Sequence, residues 1–303
     1  MKTISQCPVC GCGEGRRWPS LVAPFIATFA LESSISPCSL LECKRCGLRY
    51  FSGRFEPDEL NRLYRDYRGG PYFRIRHRFE PWYSERHNQG TGHDPKVVAQ
   101  RNAYLSAFLK HHKVEATERV LDFGGDSGQF IPEGIGTSRH VFEVSAAAPI
   151  HGVTKISDEG ALEPGSYDLI LLNHVLEHAN DPVELLQRLA TLLRPDGGAL
   201  YVEVPHERYR IWSGKGALQK RYLAWLSRHG TLLRLADFLS TSCRVALGIV
   251  PPLGFPKLHE HINLFDETSL RMACGRAGML VEACAFATRQ DGRVISLLAK
   301  RKT

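Results

Sequence analysis

The sequence lacks the long apolar runs that mark export or membrane insertion. No apolar stretch precedes the first cysteine, so no secretory signal is indicated and we expect a cytoplasmic protein. Of two apolar segments, residues 20–31 are too short to cross about 30 Å of hydrocarbon, and residues 231–250 are interrupted by Arg234, Asp237 and Arg244. We therefore predict no transmembrane segment.

Internal repeats and low-complexity tracts are also lacking, and acidic residues are fewer than basic ones. The 39 lysines and arginines against 32 aspartates and glutamates give a formal net charge of +7. This charge allows an anionic partner such as RNA, a nucleotide-linked substrate or an acidic membrane surface, and it does not choose among them. A chain of 303 residues with 43% hydrophobic composition can build one large α/β domain plus a small accessory unit.

Two Cys-x-x-Cys pairs near the N-terminus indicate a metal site. In each pair a glycine follows the second cysteine and helps a tight turn to close. Each turn brings two thiolates to one side, so the two turns together can surround a zinc ion as a structural site. The predicted ligands are Cys7, Cys10, Cys43 and Cys46. Cys12 and Cys38 could compete as ligands, and redox activity is the alternative interpretation.

From Arg119 onward, short apolar runs alternate with helical patterns, as is typical of parallel βαβ units. The runs predict strands at residues 120–123, 140–143, 167–172, 199–204, 280–286 and 294–299. One helix is predicted to follow a cap at Asp181, and another runs from Asp266 to Gly278. A further helix is expected after the first strand.

A glycine-rich turn separates the first strand from the helix expected after it. Gly124, Gly125 and Gly128 remove side chains where they would collide with a ligand approaching the backbone. Asp126 and Gln129 stand where the dinucleotide pattern G-x-G-x-x-G needs glycine, so NAD binding is disfavoured.

Three motifs then follow one another in order. Residues 120–128 read Val-Leu-Asp-Phe-Gly-Gly-Asp-Ser-Gly, residues 167–178 end in His-Val-Leu-Glu-His, and residues 193–198 read Leu-Arg-Pro-Asp-Gly-Gly. Together they resemble the motifs of class I S-adenosylmethionine-dependent methyltransferases. The middle glycine of the first motif is replaced by Asp126.

This resemblance implies a fold class and a cofactor. The fold class is α/β, a Rossmann-like class I methyltransferase domain with a small N-terminal four-cysteine zinc-ribbon-like module and a helical lid insertion. Glu143, about 20 residues after the first motif, would accept both ribose hydroxyls of S-adenosylmethionine. The implied cofactor-binding residues are Asp122, Gly124, Gly125, Asp126, Gly128, Glu143, Asn173 and His174.

A second resemblance concerns the acceptor. A zinc module before such a domain is similar to bacterial enzymes that methylate sugars, although the larger sugar C-methyltransferases carry another α/β domain that this chain is too short to contain. Residues 259–265 resemble the segment that holds a catalytic Glu-His pair in those enzymes. By that resemblance His261 is the general base and Glu260 its orienting or acidic neighbour. Alternatively, these residues only hydrogen-bond a lid to the core.

We divide the sequence into three regions. Residues 1–55 form the zinc-ribbon-like module, residues 56–115 a helical connector rich in arginine and aromatic residues, and residues 116–303 the methyltransferase domain with a lid insertion at about 206–262. Connector residues 64–78 could clamp a nucleotide diphosphate, or they are a solvated helix surface with aromatics packed inward. The basic, tryptophan-containing lid could contact an anionic membrane.

The sequence therefore predicts methyl transfer from S-adenosylmethionine to a small polar acceptor. We expect a nucleotide-linked or glycan-bound sugar in surface-polysaccharide or deoxysugar biosynthesis. The alternatives are an RNA base methyltransferase with a zinc knuckle, and a non-catalytic nucleotide-binding protein whose donor loop is altered by Asp126. The sequence does not distinguish methylation of a carbon, oxygen or nitrogen atom, and it does not indicate the oligomeric state.

Overall fold

Short strands alternate with helices along the chain. The computed structural model describes residues 1–114, 117–290 and 292–302. The strands are β1 (Lys2–Thr3), β2 (Gly15–Val22), β3 (Pro37–Cys43), β4 (Arg49–Phe51), β5 (Gly53–Arg54), β6 (Arg119–Phe123), β7 (Ser138–Phe142), β8 (Thr154–Ile156), β9 (Leu169–Asn173), β10 (Ala199–Pro205), β11 (Arg210–Ile211), β12 (Ile249–Val250), β13 (Lys257–Leu258), β14 (Asn263–Leu264), β15 (Met279–Arg289) and β16 (Gly292–Arg301). The helices are α1 (Pro24–Phe29), α2 (Pro57–Tyr64), α3 (Gly70–Phe79), α4 (Glu85–Gly90), α5 (Pro95–His111), α6 (Pro182–Leu192), α7 (Ala217–Leu226), α8 (Gly230–Leu247) and α9 (Glu267–Arg276).

These elements group into two units, each assembled from separate parts of the sequence. The first unit comprises Met1–Cys7, Gly11–Gln89 and Glu207–Leu264. The second comprises Pro8–Cys10, Gly90–His206 and Phe265–Thr303. Residues 207–264 interrupt the methyltransferase-like segment in sequence, but they fold with N-terminal residues.

A seven-stranded sheet forms the second unit, in the order β15-β16-β10-β9-β6-β7-β8. The strands from β10 to β8 are parallel neighbours, and β16 pairs antiparallel with both β10 and β15. From β6 the chain moves outward to β7 and β8, and then returns to β9 on the other side of β6. The carboxyl ends of β6 and β9 therefore lie at a topological switch point, where open α/β sheets bind ligands. This mixed sheet confirms the predicted Rossmann-like α/β fold class.

The central strand β9 and the helix after it form as the apolar pattern predicts. Leu169 to Leu172 are fully buried, as expected for a strand covered on both faces. Asp181 caps α6, because its side chain accepts hydrogen bonds from the backbone of Val183 and Glu184. The helix buries a leucine stripe formed by Leu186, Leu189 and Leu192.

The connection between β6 and β7 contradicts one prediction. We expected a helix after the glycine turn, but residues 124–137, all of which the structure describes, form turns and bends. Pro132 removes a backbone donor, and Gly134 and Gly136 adopt φ angles of +81° and +74°. The connection therefore leaves β6 through successive turns and enters β7 directly.

A five-stranded sheet in the order β13-β2-β3-β4-β14 forms the first unit. The edge strands β13 and β14 come from residues after 256, so the N-terminal strands are completed by a distant part of the chain. A buried core on this sheet contains Phe25, Ile26, Leu40, Leu63 and Tyr72.

Helices α7 and α8 belong to the same unit. Leu223 and Leu226 of α7 and Leu233 of α8 form a small apolar cluster with Leu21 and Phe255. Among the described residues, no helix is both long enough and apolar enough to cross a bilayer.

Candidate functional site

The glycine turn after β6 contains three residues in the left-handed region, one of which is not glycine. Gly124 and Gly128 have φ angles of +71° and +78°, and Asp126 has a φ of +56°. Aspartate adopts this left-handed conformation more readily than most residues other than glycine. Asp126 thus takes a backbone conformation that glycine favours.

Packing of the protein itself explains the glycines of this turn. A Cβ added to Gly124 would lie 2.8 Å from Val175 Cγ2, and one added to Gly128 would lie 2.8 Å from Val153 Cγ1. We expected these positions to be glycine because a ligand approaches them. In the structure the glycines also avoid clashes with Val175 and Val153, and the approach of a ligand to this turn stays a prediction.

Glu143 lies beside the turn, as the sequence predicts. It follows the last residue of β7, and its Oε2 accepts a hydrogen bond of 3.1 Å from the backbone N–H of Asp126. Its Oε1 accepts a second bond of 2.8 Å from the backbone N–H of Ser145. These two bonds fix the carboxylate at the carboxyl end of the parallel strands, and each oxygen keeps a further lone pair that can accept a bond.

Asp122 at the end of β6 is fully buried and only partly satisfied. Its Oδ1 accepts a hydrogen bond of 3.4 Å from Asn173 Nδ2, while Oδ2 has no hydrogen-bond partner among the described residues. Burial raises the pKa of Asp122 to about 7. A buried acceptor without a partner, next to the glycine turn, fits a site that is completed by a polar ligand.

His174, at the end of β9, is held by a buried acidic network. Its Nε2 lies 3.1 Å from Glu203 Oε1 and its Nδ1 lies 3.5 Å from Glu177 Oε1. Burial lowers the pKa of His174, but the bonds to Glu177 and Glu203 outweigh it, so the net shift is upward. His174 also has a φ of +55°, which indicates that these contacts hold it in an uncommon conformation.

Glu203 of β10 is the residue that sequence reasoning missed. Arg289 forms bonds of 2.8 and 2.6 Å to its two oxygens, and Arg101 lies 3.2 Å from Oε1. Burial raises the pKa of Glu203, but His174 and Arg289 lower it further than burial raises it, so it stays ionised. Glu203 is the one acidic residue within the apolar sequence of β10. Because acidic residues are seldom fully buried unless they are paired, this position could have been identified from the sequence.

The predicted zinc ligands come together. The thiol sulfurs of Cys7, Cys10, Cys43 and Cys46 all lie within 4.8 Å of one another, and all four residues are buried. The Sγ atoms of Cys7 and Cys46 are 3.5 Å apart, too far for a disulfide. Four zinc–sulfur bonds of about 2.3 Å would separate the sulfurs of a tetrahedral site by about 3.8 Å, so the cluster fits such an ion.

Glu260 and His261 both lie in the first unit, but they have different partners. Glu260 is bound by a hydroxyl group and His261 lies next to a carboxylate. Glu260 is 7% exposed and accepts a hydrogen bond from the hydroxyl of Tyr72, and Arg76 NH1 lies 3.7 Å from its Oε2. His261 is more accessible, with a side chain 32% exposed, and its Nδ1 lies 3.0 Å from Glu207 Oε1. The sequence did not indicate Glu207, because it stands 54 residues away from His261.

The connector arginine closest to this pair does not form an open anion clamp. Arg76 Nε donates a bond of 3.0 Å to Glu80, and its guanidinium lies 3.8 Å from the ring centroid of Tyr83. Tyr72, on the same helix, is fully buried. The alternative interpretation of inward-packed aromatics therefore describes this part of α3.

Comparison with known proteins identifies a family. A family model described as a methyltransferase domain matches residues 64–283, well over half of the chain. No curated protein matches the chain significantly.

The solved structures that resemble the chain are distant. A Leishmania major S-adenosylmethionine-dependent methyltransferase is 15% identical, with 73% of this chain and 81% of that chain covered and a TM-score of 0.46. Burkholderia thailandensis 1,6-didemethyltoxoflavin-N1-methyltransferase is 15% identical, with 88% and 96% covered and a TM-score of 0.46. Synechocystis magnesium protoporphyrin IX methyltransferase is 16% identical, with 78% and 98% covered and a TM-score of 0.42.

Proposed function

Because the chain belongs to the methyltransferase-domain family, we propose that this S-adenosylmethionine-dependent methyltransferase acts on a sugar that is linked to a nucleotide or a glycan. The bound donor supplies an electrophilic methyl group on a sulfonium. The chain must therefore hold the donor, position a nucleophilic atom of the acceptor and remove the proton that this atom carries.

Donor binding is assigned to the carboxyl ends of β6, β7 and β9. In this proposal Glu143 accepts hydrogen bonds from the ribose hydroxyls, while the backbone N–H groups of Asp126 and Ser145 fix its rotamer. Asp122 offers the buried Oδ2 that lacks a partner among the described residues. The left-handed backbone at Asp126 supports the same assignment, because glycine, which the motif has at this position, favours that conformation.

Proton removal is assigned to His261, and this assignment rests on its contact with Glu207. A carboxylate 3.0 Å from Nδ1 orients the ring and stabilises the imidazolium that forms when the ring takes up a proton. Glu260 is assigned as a positioning neighbour, because Tyr72 and Arg76 hold its carboxylate in a buried place. A partly exposed imidazole with a fixed carboxylate partner suits a small polar acceptor that loses a proton.

We also propose that the four-cysteine cluster holds one structural zinc. Four buried thiols leave no open ligand position of the kind that a catalytic zinc needs, so its role would be to stabilise the N-terminal turns.

A labelled-donor assay tests the function. Purified protein is incubated with tritiated S-adenosylmethionine and either nucleotide-linked sugars or RNA. We expect transfer to a sugar, and we expect His261→Asn to reduce it at least about 100-fold, the usual size of a general-base contribution, without weakening donor binding. The matched control is His151→Asn. His151 is exposed, so this variant should transfer methyl groups at the wild-type rate. Transfer to RNA alone would contradict the proposed acceptor.

A further inference from the structure

Exposed apolar side chains are concentrated in one segment of the first unit. Of the fifteen large hydrophobic residues that are exposed in the described part of the chain, ten lie between residues 212 and 253. They are Trp212, Leu218, Trp225, Leu232, Leu235, Phe238, Leu239, Val245, Leu247 and Leu253. Soluble proteins expose scattered apolar residues, but a concentration of this size marks an interaction site.

Helix α8 is apolar on its outward face as well as its inward one. Its buried residues Leu233, Asp237 and Ser240 recur at helical spacing and define the inward side. Leu235 and Leu239 lie on the opposite side and are 56% and 51% exposed. A helix that faced only water would carry polar residues there. We therefore expect the outward face of α8 to contact a second apolar surface, outside the unit to which the helix belongs.

Helix α7 and the loop that carries Trp82 also expose apolar side chains. Leu218 and Trp225 are seven residues apart, so they share one side of α7, and they are 83% and 48% exposed. Trp82, itself 41% exposed, lies with its ring centroid 5.3 Å from that of Phe238 on α8. We define the docking surface as the ten residues given above together with Trp82.

Basic residues accompany this docking surface. Seven exposed cations lie between residues 208 and 234, in and just before this segment, namely Arg208, Arg210, Lys215, Lys220, Arg221, Arg228 and Arg234. Between residues 208 and 253 the sequence contains one acid, Asp237, which is buried and bound by Lys257 at 2.9 Å. The positive charge is therefore not offset by acids of the same segment.

We propose that the docking surface binds a bilayer that contains anionic phospholipids. The apolar side chains would enter the boundary between headgroups and acyl chains, and the cations would contact lipid phosphates. A second copy of the chain fits less well, because it would bring two cationic segments together. The charge and the apolar exposure thus favour the same partner.

Vesicle flotation tests the proposal with the full-length protein. We expect the wild type to float with vesicles of phosphatidylglycerol and phosphatidylcholine in equal amounts, and to stay at the bottom of the gradient with phosphatidylcholine alone. Binding should weaken as salt is added, because screening reduces the attraction to lipid phosphates. Failure to bind the anionic vesicles at low salt would overturn the proposal.

Matched variants test whether this surface is the one that binds. Leu235→Glu should lower the partition coefficient about tenfold or more, since one buried leucine side chain accounts for roughly that factor. Leu280→Glu replaces a leucine of the same 56% exposure in β15 and should bind like the wild type. Lys220→Gln with Arg221→Gln should also weaken binding about tenfold, whereas Arg301→Gln with Lys302→Gln should not. Equal effects of both leucine variants would contradict the assignment.

Analytical ultracentrifugation checks the competing occupant. If the wild type sediments as a dimer that Leu235→Glu converts to a monomer, the surface is an interface between copies and the proposal fails. A wild-type monomer supports it. These measurements need neither donor nor acceptor, so their outcome is independent of the proposed methyl transfer.

Discussion

At the scale of single residues, Asp122 should make stability depend on pH. Its pKa is about 7 in the folded protein against 3.8 in the unfolded chain, so the folded state binds the proton more tightly. The contribution of this group to stability is therefore complete below pH 3.8 and is lost as the pH rises through about 7. Asp122→Asn should remove that loss and raise the free energy of unfolding above pH 7 by at most about 4 kcal/mol. Urea unfolding at a series of pH values measures it.

Asp168 offers a control of opposite sign. Burial raises the pKa of Asp168, but hydrogen bonds from the backbone of Arg119 and Glu118 and from Arg194 outweigh it and lower the pKa. Its contribution to stability is thus present above pH 3.8 and lost as the pH falls through the folded-state pKa. Asp168→Asn should destabilise the protein at neutral pH. Two variants that change the pH profile in the same direction would contradict this account.

The residues that the sequence could identify are those within motifs. Asp122 and Glu143 follow strands at a recognisable spacing, and the structure places Glu143 against the turn after β6. The network of Glu203 was not identifiable, because Arg101 and Arg289 stand 102 and 86 positions away from it. Only the packing of α5 with β10 and β15 brings these charges together.

At the scale of elements, the glycine turn should be intolerant of side chains. Gly128→Ala adds a Cβ 2.8 Å from Val153 Cγ1 at a φ of +78°, so both strain and a clash oppose it. We expect a loss of about 2–4 kcal/mol in the free energy of unfolding. Gly134→Ala is the matched control, because Gly134 has a φ of +81° and nothing within 4 Å of an added Cβ. Strain alone should then cost about 1 kcal/mol.

A double variant separates the two causes. Val153→Ala removes the methyl groups that meet the added Cβ, so it should restore part of the stability that Gly128→Ala loses. Val153→Ala should not restore any of the stability that Gly134→Ala loses, because no atom from elsewhere in the described chain lies within 4 Å of that added Cβ. If Gly128→Ala and Gly134→Ala are equally destabilising, the proposed packing of the turn is wrong.

Elements with a local signal were predictable, and others were not. The cap at Asp181 and the leucine spacing after it lie within one short segment, and α6 forms there. The helix expected after β6 is absent from residues 124–137, because Pro132, Gly134 and Gly136 override the βα pattern. Local breakers within a connection therefore counted for more than the alternation of strands and helices around it.

At the scale of the whole molecule, metal content is a direct consequence of the cysteine cluster. We expect about one zinc per chain by elemental analysis, and Cys43→Ser should remove it and lower the melting temperature by several degrees. Cys274→Ser is the control, because Cys274 is also buried but lies outside the cluster. Protein without zinc, or equal zinc in both variants, would contradict the predicted site.

The assembly of the first unit could not be predicted from sequence. β13 and β14 have two residues each, too few to show an alternating pattern, and they pair with β2 and β4 from the start of the chain. We interpreted residues of about 206–262 as an insertion because of their position, whereas the pairing partners of β13 and β14 lie more than 200 residues away. That the insertion acts as a lid stays a prediction.

Calorimetry with S-adenosylmethionine measures whether the turn after β6 and Glu143 bind the methyl donor. We expect one donor to bind per wild-type chain. Glu143→Gln should bind about 10- to 100-fold more weakly, because it loses charge-assisted bonds to the ribose. Glu133 is an exposed glutamate in the connection between β6 and β7, and Glu133→Gln should bind the donor as tightly as the wild type does. No heat with the wild type, or equal affinity for Glu143→Gln and the wild type, would rule out donor binding at this site.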